Sequence, residues 1–83
     1  MFYVTMTDTF LSGWGKAEGR IAKFVFVCDN WQEAEIVKEN AQRRGDQKYI
    51  NILVTKPVYS SKTHLVQYET KETSPCWYIP KYF

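Results

Sequence analysis

The sequence predicts an α+β fold: a mainly antiparallel sheet of four to five strands with one helix on one face, in the order ββαββ plus a short C-terminal strand. Apolar and polar residues alternate with a period of two in several short segments, which is typical of half-buried strands. A capping pattern opens one segment of helical periodicity. The 83 residues, 45% hydrophobic and 17% aromatic, favour a single domain spanning residues 1 to 83.

Two strands are predicted before the helix. Residues 2 to 7 (FYVTMT) place their apolar and polar side chains on alternate sides, as a half-buried strand does. Residues 8 to 20 contain glycine, serine and threonine and indicate a long connection. Residues 21 to 28 (IAKFVFVC) form a nearly continuous β-branched and aromatic run, which indicates an interior strand.

A helix is predicted over roughly residues 30 to 44. Asn30 and Glu33 form a capping-box pattern, in which each side chain can accept a hydrogen bond from the other residue's backbone NH. Gly45 supplies the left-handed conformation that commonly ends a helix. The side chains expected to face the sheet are Trp31, Ala34, Val37 and Ala41.

Three extended segments are expected after the helix. Residues 49 to 55 form a strand, residues 65 to 70 form a weaker strand that is more typical of an edge, and residues 76 to 79 form a last short extended piece between prolines. The β-α-β connection requires the second and third strands to run parallel, either adjacent or with the first strand between them.

The composition argues against several classes of protein. A net charge of +2 is weak for a nucleic-acid-binding domain. The N-terminal residues lack a secretory pattern and no apolar run is long enough to span a bilayer, so we expect a cytoplasmic protein without membrane contact. Cys28 and Cys76 match no metal-binding spacing and are expected to be reduced thiols.

The residues offer little for catalysis. His64 is the only histidine, so a Cys-His dyad with either cysteine is the only nucleophilic pair available, and no third orienting residue accompanies it. The glutamates of the helix have no histidine or cysteine beside them to complete a metal site. We therefore expect no catalytic residues, no metal, no cofactor and no enzymatic activity.

The segment between the first two strands is unusual because a tryptophan stands between glycines near basic residues. It has three interpretations: glycines that permit tight turns while the tryptophan covers the core, a loop that contacts a protein, or a loop whose backbone NH groups hold a phosphate. The spacing does not fit a dinucleotide or P-loop motif. The candidate contact residues here are Ser12, Gly13, Trp14, Gly15, Lys16 and Arg20.

The C-terminal WYIPKYF carries four aromatic residues and one lysine. Its rings either complete the core or form an exposed platform on which bases of a single strand could stack, with Arg20 and Lys81 near the phosphates. Both alternatives stay open. The candidate contact residues are Trp77, Tyr78, Lys81 and Tyr82.

Nearly the whole chain resembles a family of small, uncharacterised proteins encoded by tailed bacteriophages and prophages of gut bacteria. The segments that carry the resemblance are FYVTMTD at 2 to 8, SGWGKAEG at 12 to 19, FVCD at 26 to 29, EAEIVKENA at 33 to 41, KYINI at 48 to 52 and WYIPKYF at 77 to 83. The resemblance implies an accessory protein that acts in the host cytoplasm.

Two functions are therefore expected. The first is a non-enzymatic phage protein that binds and inhibits a host protein, such as a CRISPR nuclease or another part of a defence system, through the glycine-tryptophan loop and exposed aromatic residues. The alternative is a small nucleic-acid-binding module that uses exposed aromatic residues and scattered Lys and Arg. The oligomeric state, including a homodimer, stays open.

Overall fold

The computed structural model describes residues 1–9 and 19–83 and has an α+β fold with one helix and one sheet. Within those ranges, no helix combines the length and the apolar character needed to cross a membrane. The elements in chain order are strand β1 (Phe2–Asp8), strand β2 (Ile21–Cys28), helix α1 (Trp31–Arg44), strand β3 (Gln47–Leu53), strand β4 (His64–Glu69) and a 3-10 helix (Pro75–Tyr78).

The strands are arranged in the order β3-β1-β2-β4. β1 pairs antiparallel with β2 and β3, whereas β2 pairs in parallel with β4, so the sheet is mixed and the antiparallel prediction holds only for the pairs that β1 makes. The parallel arrangement of β2 and β3 with β1 between them is confirmed, and so is the edge position of β4. Because β3 and β4 lie at opposite edges, residues 54–63 cross the sheet and let both strands run in the same direction.

Helix α1 begins and ends where its local sequence indicates. The Asn30 side chain accepts a hydrogen bond from the backbone NH of Glu33 at 2.9 Å, which caps the first turn. The Glu33 carboxylate accepts from the backbone NH of Asp29 at 2.9 Å, one residue before the position that a capping box predicts. Gly45 follows the last turn with a φ of 77°, a left-handed conformation that glycine adopts without a steric penalty.

The buried side of α1 is made of small residues. Ala34, Val37 and Ala41 are fully buried, as predicted, and Asn40 is buried beside them. Trp31 was expected there as well, and this prediction is wrong, because its side chain is 49% exposed. Trp31 is the first residue of α1 and lies at the rim of the core, where its ring meets the ring of Phe2 edge to face at 5.5 Å.

The core lies between α1 and the side of the sheet that carries the even-numbered residues of β1 and β2. Short alanine side chains let the helix backbone approach larger residues from the strands, and burying each large apolar side chain stabilises the fold by about 1.5–3 kcal/mol. The core residues contributed by the strands are Val4, Met6, Phe26 and Cys28.

Strand β3 contains a β-bulge opposite β1. Thr5 pairs with Asn51 and Thr7 pairs with Lys48, so two residues of β3 oppose one residue of β1. Tyr49 lies in the bulge with a φ of 54° and is 73% exposed. The predicted strand at 49 to 55 is thus displaced by two residues at each end, to Gln47–Leu53.

The predicted C-terminal strand is wrong, because residues 75–78 form a 3-10 helix that packs against α1 and not an additional strand. Pro75 fixes φ and has no NH to donate to a sheet, which favours the first turn of a helix. The Asn40 amide donates hydrogen bonds to the carbonyls of Trp77 at 2.8 Å and Ile79 at 2.9 Å. These bonds hold the C-terminal segment on the helix side of the sheet.

Candidate binding surface on the distal face of the sheet

The side of the sheet opposite α1, which we call the distal face, carries the odd-numbered residues of β1 and β2 and their cross-strand partners. Lys23 lies in the middle of this face on β2, beside Val66 of β4. His64 and Tyr68 lie on the same face, next to Ile21 and to Val25 respectively. The distal face is therefore built by the two central strands and by both edge strands, β3 and β4.

The crossing segment, residues 54–63, packs over part of the distal face. Tyr68 donates its hydroxyl hydrogen to the carbonyl of Pro57 at 3.3 Å. The ring of Tyr59 lies 5.1 Å from the ring of His64. Val25 lies on this face and has no exposed surface.

Two lysines lie against tyrosine rings at this surface. The Nζ atom of Lys23 lies 5.7 Å from the centroid of the Tyr59 ring, and that of Lys56 lies 5.0 Å from the centroid of the Tyr68 ring. Each distance is within the range of a cation-π interaction. In both pairs, a lysine ammonium group and a tyrosine ring lie next to each other at the surface.

An open groove of about 530 Å³ runs between the crossing segment and β4. Arg20 lines one end, where its guanidinium donates a hydrogen bond to the carbonyl of Ser61 at 3.1 Å. A second hollow of about 450 Å³ lies between Thr7 and Tyr49, and His64 lines both hollows. We use the name distal surface for the distal face, the crossing segment and Arg20 together.

The distal surface is basic. Its cations in the described residues are Arg20, Lys23, Lys48, Lys56 and Lys62. None of the described acidic side chains lines the groove or the second hollow, whereas Asp29 and Glu72 line a separate hollow with Val27 at the other end of β2. The described acidic side chains lie on α1, in the loops at its ends, on the helix-facing side of the strands, or in the loop after β4. They are Asp8, Asp29, Glu33, Glu35, Glu39, Asp46, Glu69 and Glu72.

The lysine at the centre of this surface is partly withdrawn from water. Burial lowers the pKa of Lys23 from its ordinary value, because a charged ammonium loses hydration there. An anion brought next to Lys23 would offset that cost. Lys71, in the loop after β4, differs from Lys23, since its Nζ atom already contacts the carboxylates of Asp29 at 2.6 Å and Glu33 at 3.2 Å.

A Cys-His dyad, which was not expected from the sequence, is not formed with Cys28. Cys28 lies in the core at one end of β2, whereas His64 pairs with Ile21 at the other end, about 23 Å away along the strand. Desolvation, followed by the nearby carboxylates of Glu33 and Asp29, raises the pKa of the Cys28 thiol to about 12. Such a thiol is a poor nucleophile.

The predicted contact residues that the structure describes do not form one site. The glycine-tryptophan loop prediction falls on residues 12 to 16, which lie outside the described residues, as do all of 10–18. Arg20 borders the distal groove. Trp77 and Tyr78 lie on the helix side, where Trp77 packs 4.6 Å from the Phe26 ring, so they complete the core instead of joining Arg20.

Lys81 and Tyr82 are exposed near the C-terminus, with Tyr82 55% exposed. They follow the 3-10 helix on the helix side, away from Arg20, so the predicted single-strand platform of C-terminal rings with Arg20 is not assembled. Tyr82 instead contacts the ring of Phe83 at 5.1 Å.

Apart from Arg20, the residues that assemble on the distal surface were not among the predicted contacts. The available signal was Lys23, a charged residue inside the otherwise apolar run of β2, together with the alternation of His64, Val66 and Tyr68. Neither signal shows which residues lie opposite, because Tyr59 and Lys56 reach this face only through the crossing segment.

Among the residues that the structure describes, no group of three His, Cys, Asp or Glu side chains could hold a metal ion. Comparisons of the chain with protein-family models, with curated proteins and with solved structures found no match. The resemblance to small phage proteins stays a prediction.

Proposed function

We propose that this protein is a non-enzymatic accessory protein that acts in the host cytoplasm by binding a macromolecular partner in a fixed stoichiometry. The distal surface is the contact site. The observation that carries the proposal is the local distribution of charge, because lysines, Arg20 and exposed tyrosines line the groove and the second hollow of the distal surface, whose described lining contains no acidic side chain. A surface of this kind favours an anionic partner.

The first candidate partner is a host protein, such as a CRISPR nuclease or another defence component, which the protein would inhibit. The support for this partner is the resemblance to phage accessory proteins. Such a target would have to present an acidic patch to Lys23 and Lys56. The tyrosines beside them are residues that commonly serve as anchors at protein interfaces.

The second candidate partner is a nucleic acid. The observation that favours it is the placement of a lysine against each of two tyrosines, Tyr59 and Tyr68, which puts groups for phosphate and base next to each other. The glycine-tryptophan loop would add contacts in either case, since Arg20 at its end lines the groove.

The proposal is tested with immobilised protein and nuclease-treated host lysate. The informative variant is Lys56→Glu, because Lys56 is exposed and contacts the Tyr68 ring. The control is Arg43→Glu, which makes the same change of charge on the exposed side of α1.

We expect wild type and Arg43→Glu to retain a partner in constant ratio and Lys56→Glu to lose it. Equal retention by all three proteins would place the contact site elsewhere. If wild type retains no host protein from the nuclease-treated lysate, a host protein is not the partner.

A further inference from the structure

We infer that the distal surface binds single-stranded nucleic acid, with bases stacked on its tyrosines and phosphates beside its lysines. This inference rests on the proposed function, because it names the partner of the same surface.

Charge complementarity is the first argument. A single strand carries one negative charge per nucleotide, and binding proteins follow that backbone with cations placed along a groove. On the distal surface, Arg20 and Lys56 line the groove and Lys23 lies at the centre of the surface. Lys48 lies on the same face, on the edge strand β3. None of the described acidic side chains lines the groove or the second hollow, and Asp29 and Glu72 line a separate hollow with Val27 at the other end of β2.

The rings supply the second argument. Base stacking needs exposed aromatic faces at intervals along a track, and it tolerates any base. Tyr68 is 42% exposed at one side of the groove and Tyr49 is 73% exposed at the second hollow. Tyr59 and His64 lie between these two tyrosines.

The shape supplies the third argument. The two hollows meet at His64 and together extend from the crossing segment to β3. The faces of sheets that bind single strands use the same combination of exposed strand residues and adjoining loops. A single-stranded nucleic acid could therefore run from Tyr68 to Tyr49 across Lys23.

The test measures fluorescence anisotropy of labelled oligo-dT and oligo-U of about 12 nucleotides, a length within the usual site size. Salt is varied from about 50 to about 200 mM. The variants are Lys56→Gln, Tyr68→Ala and Tyr68→Phe, and the matched controls are Arg43→Gln and Tyr82→Ala, both of which change exposed residues on the helix side.

We expect wild type and both controls to bind with affinity that falls with salt at a log-log slope of about −0.7 per phosphate contacted. Lys56→Gln should make the slope shallower by about 0.7. Tyr68→Ala should weaken binding about tenfold without changing the slope, because it removes stacking and no charge. Tyr68→Phe retains the ring and should bind like wild type, which separates stacking from any loss of the Pro57 hydrogen bond.

Three results would overturn the inference. The first is no binding of either oligonucleotide at the lowest salt. The second is binding that Tyr68→Ala leaves unchanged in a variant that melts like wild type. The third is displacement of the labelled strand by polyglutamate as readily as by unlabelled strand. If any of these results is obtained, and wild type retains a host protein that the Lys56→Glu variant does not retain, the proposed function stands with an acidic protein as the partner.

Discussion

Arg44, the last residue of α1, packs against two adjacent aromatic rings of the C-terminal segment. Its guanidinium carbon is 4.8 Å from the centroids of both Trp77 and Phe83. Its nitrogens donate to the two carboxylate oxygens of Asp46 at 3.1 and 2.9 Å, and this hydrogen bonding lowers the pKa of Asp46. The position also suits a cation because it is the negative end of the helix dipole.

Replacing Arg44 by alanine should lower the free energy of unfolding by about 1–2 kcal/mol, because two cation-π contacts and one ion pair are lost. Chemical denaturation measures this change. Arg43→Ala is the matched control, since Arg43 makes only a long ion pair of 3.9 Å with Glu39, and it should change stability by less than about 0.5 kcal/mol. Equal effects of the two variants would contradict a role for the rings.

Cys28 is a second residue whose chemistry depends on its surroundings. The thiol is fully buried, and its pKa rises from an ordinary value of 9.0 to about 12 in the folded protein. Between these two values the unfolded chain loses the thiol proton while the folded protein keeps it. The contribution of Cys28 to stability is therefore complete below pH 9 and is lost as the pH rises toward 12.

The expected loss from this thiol is on the order of 1 kcal/mol by about pH 10. It is measured as the difference between wild type and Cys28→Ala in the change of unfolding free energy from about pH 8 to about pH 10. Cys76→Ala should behave like wild type. A pH dependence that Cys28→Ala leaves unchanged would show that the thiol is not protected.

Thiol reagents should modify Cys28 only after the protein unfolds, because the thiol is buried. Counting thiols in denatured protein without reductant should find both cysteines.

At the scale of elements, helix α1 depends on small residues against the sheet. Ala41 is fully buried and has only the core around it. Ala41→Glu should lower the free energy of unfolding by about 3 kcal/mol, because it buries an unpaired charge. Gln42→Glu introduces the same carboxylate at the next position, which is exposed, and should melt close to wild type. Similar melting temperatures for the two variants would mean that the assigned helix face is wrong.

At the scale of the whole molecule, the two sides of the sheet differ. The helix side holds α1, most of the described acidic groups and the C-terminal segment, whereas the distal side is basic and carries the crossing segment. Asn40 links the parts of the helix side because its amide joins α1 to the carbonyls of Trp77 and Ile79.

Asn40→Asp tests this link. The carboxylate would face two carbonyl oxygens inside the protein, so we expect a loss of about 3 kcal/mol and a changed near-ultraviolet signal from Trp77. Asn51→Asp is the control, because Asn51 is exposed on β3. A near-ultraviolet spectrum like that of wild type in Asn40→Asp would show that the C-terminal segment does not depend on this amide.

Local signals predicted much of the fold. The bounds of β2 and the ends of α1 at Asn30 and Gly45 were read correctly, because capping bonds, left-handed glycine and β-branched runs act within a few residues of the chain. The periodicity of α1 also indicated three of its four buried positions. The fourth, Asn40, is polar, and its burial is understood only from the carbonyls that it contacts in the C-terminal segment.

The sequence by itself determined the four strands, the helix and their order. It also limited the side chains that are available for catalysis. Only the tertiary structure decided that Trp31 lies at the rim, that the C-terminal residues form a 3-10 helix on α1, and that Lys23, Lys56 and two tyrosines meet on one face. The reason is physical. Backbone conformation depends on neighbours a few residues away, whereas a shared surface depends on strand pairing and on a crossing connection that joins residues far apart in the chain.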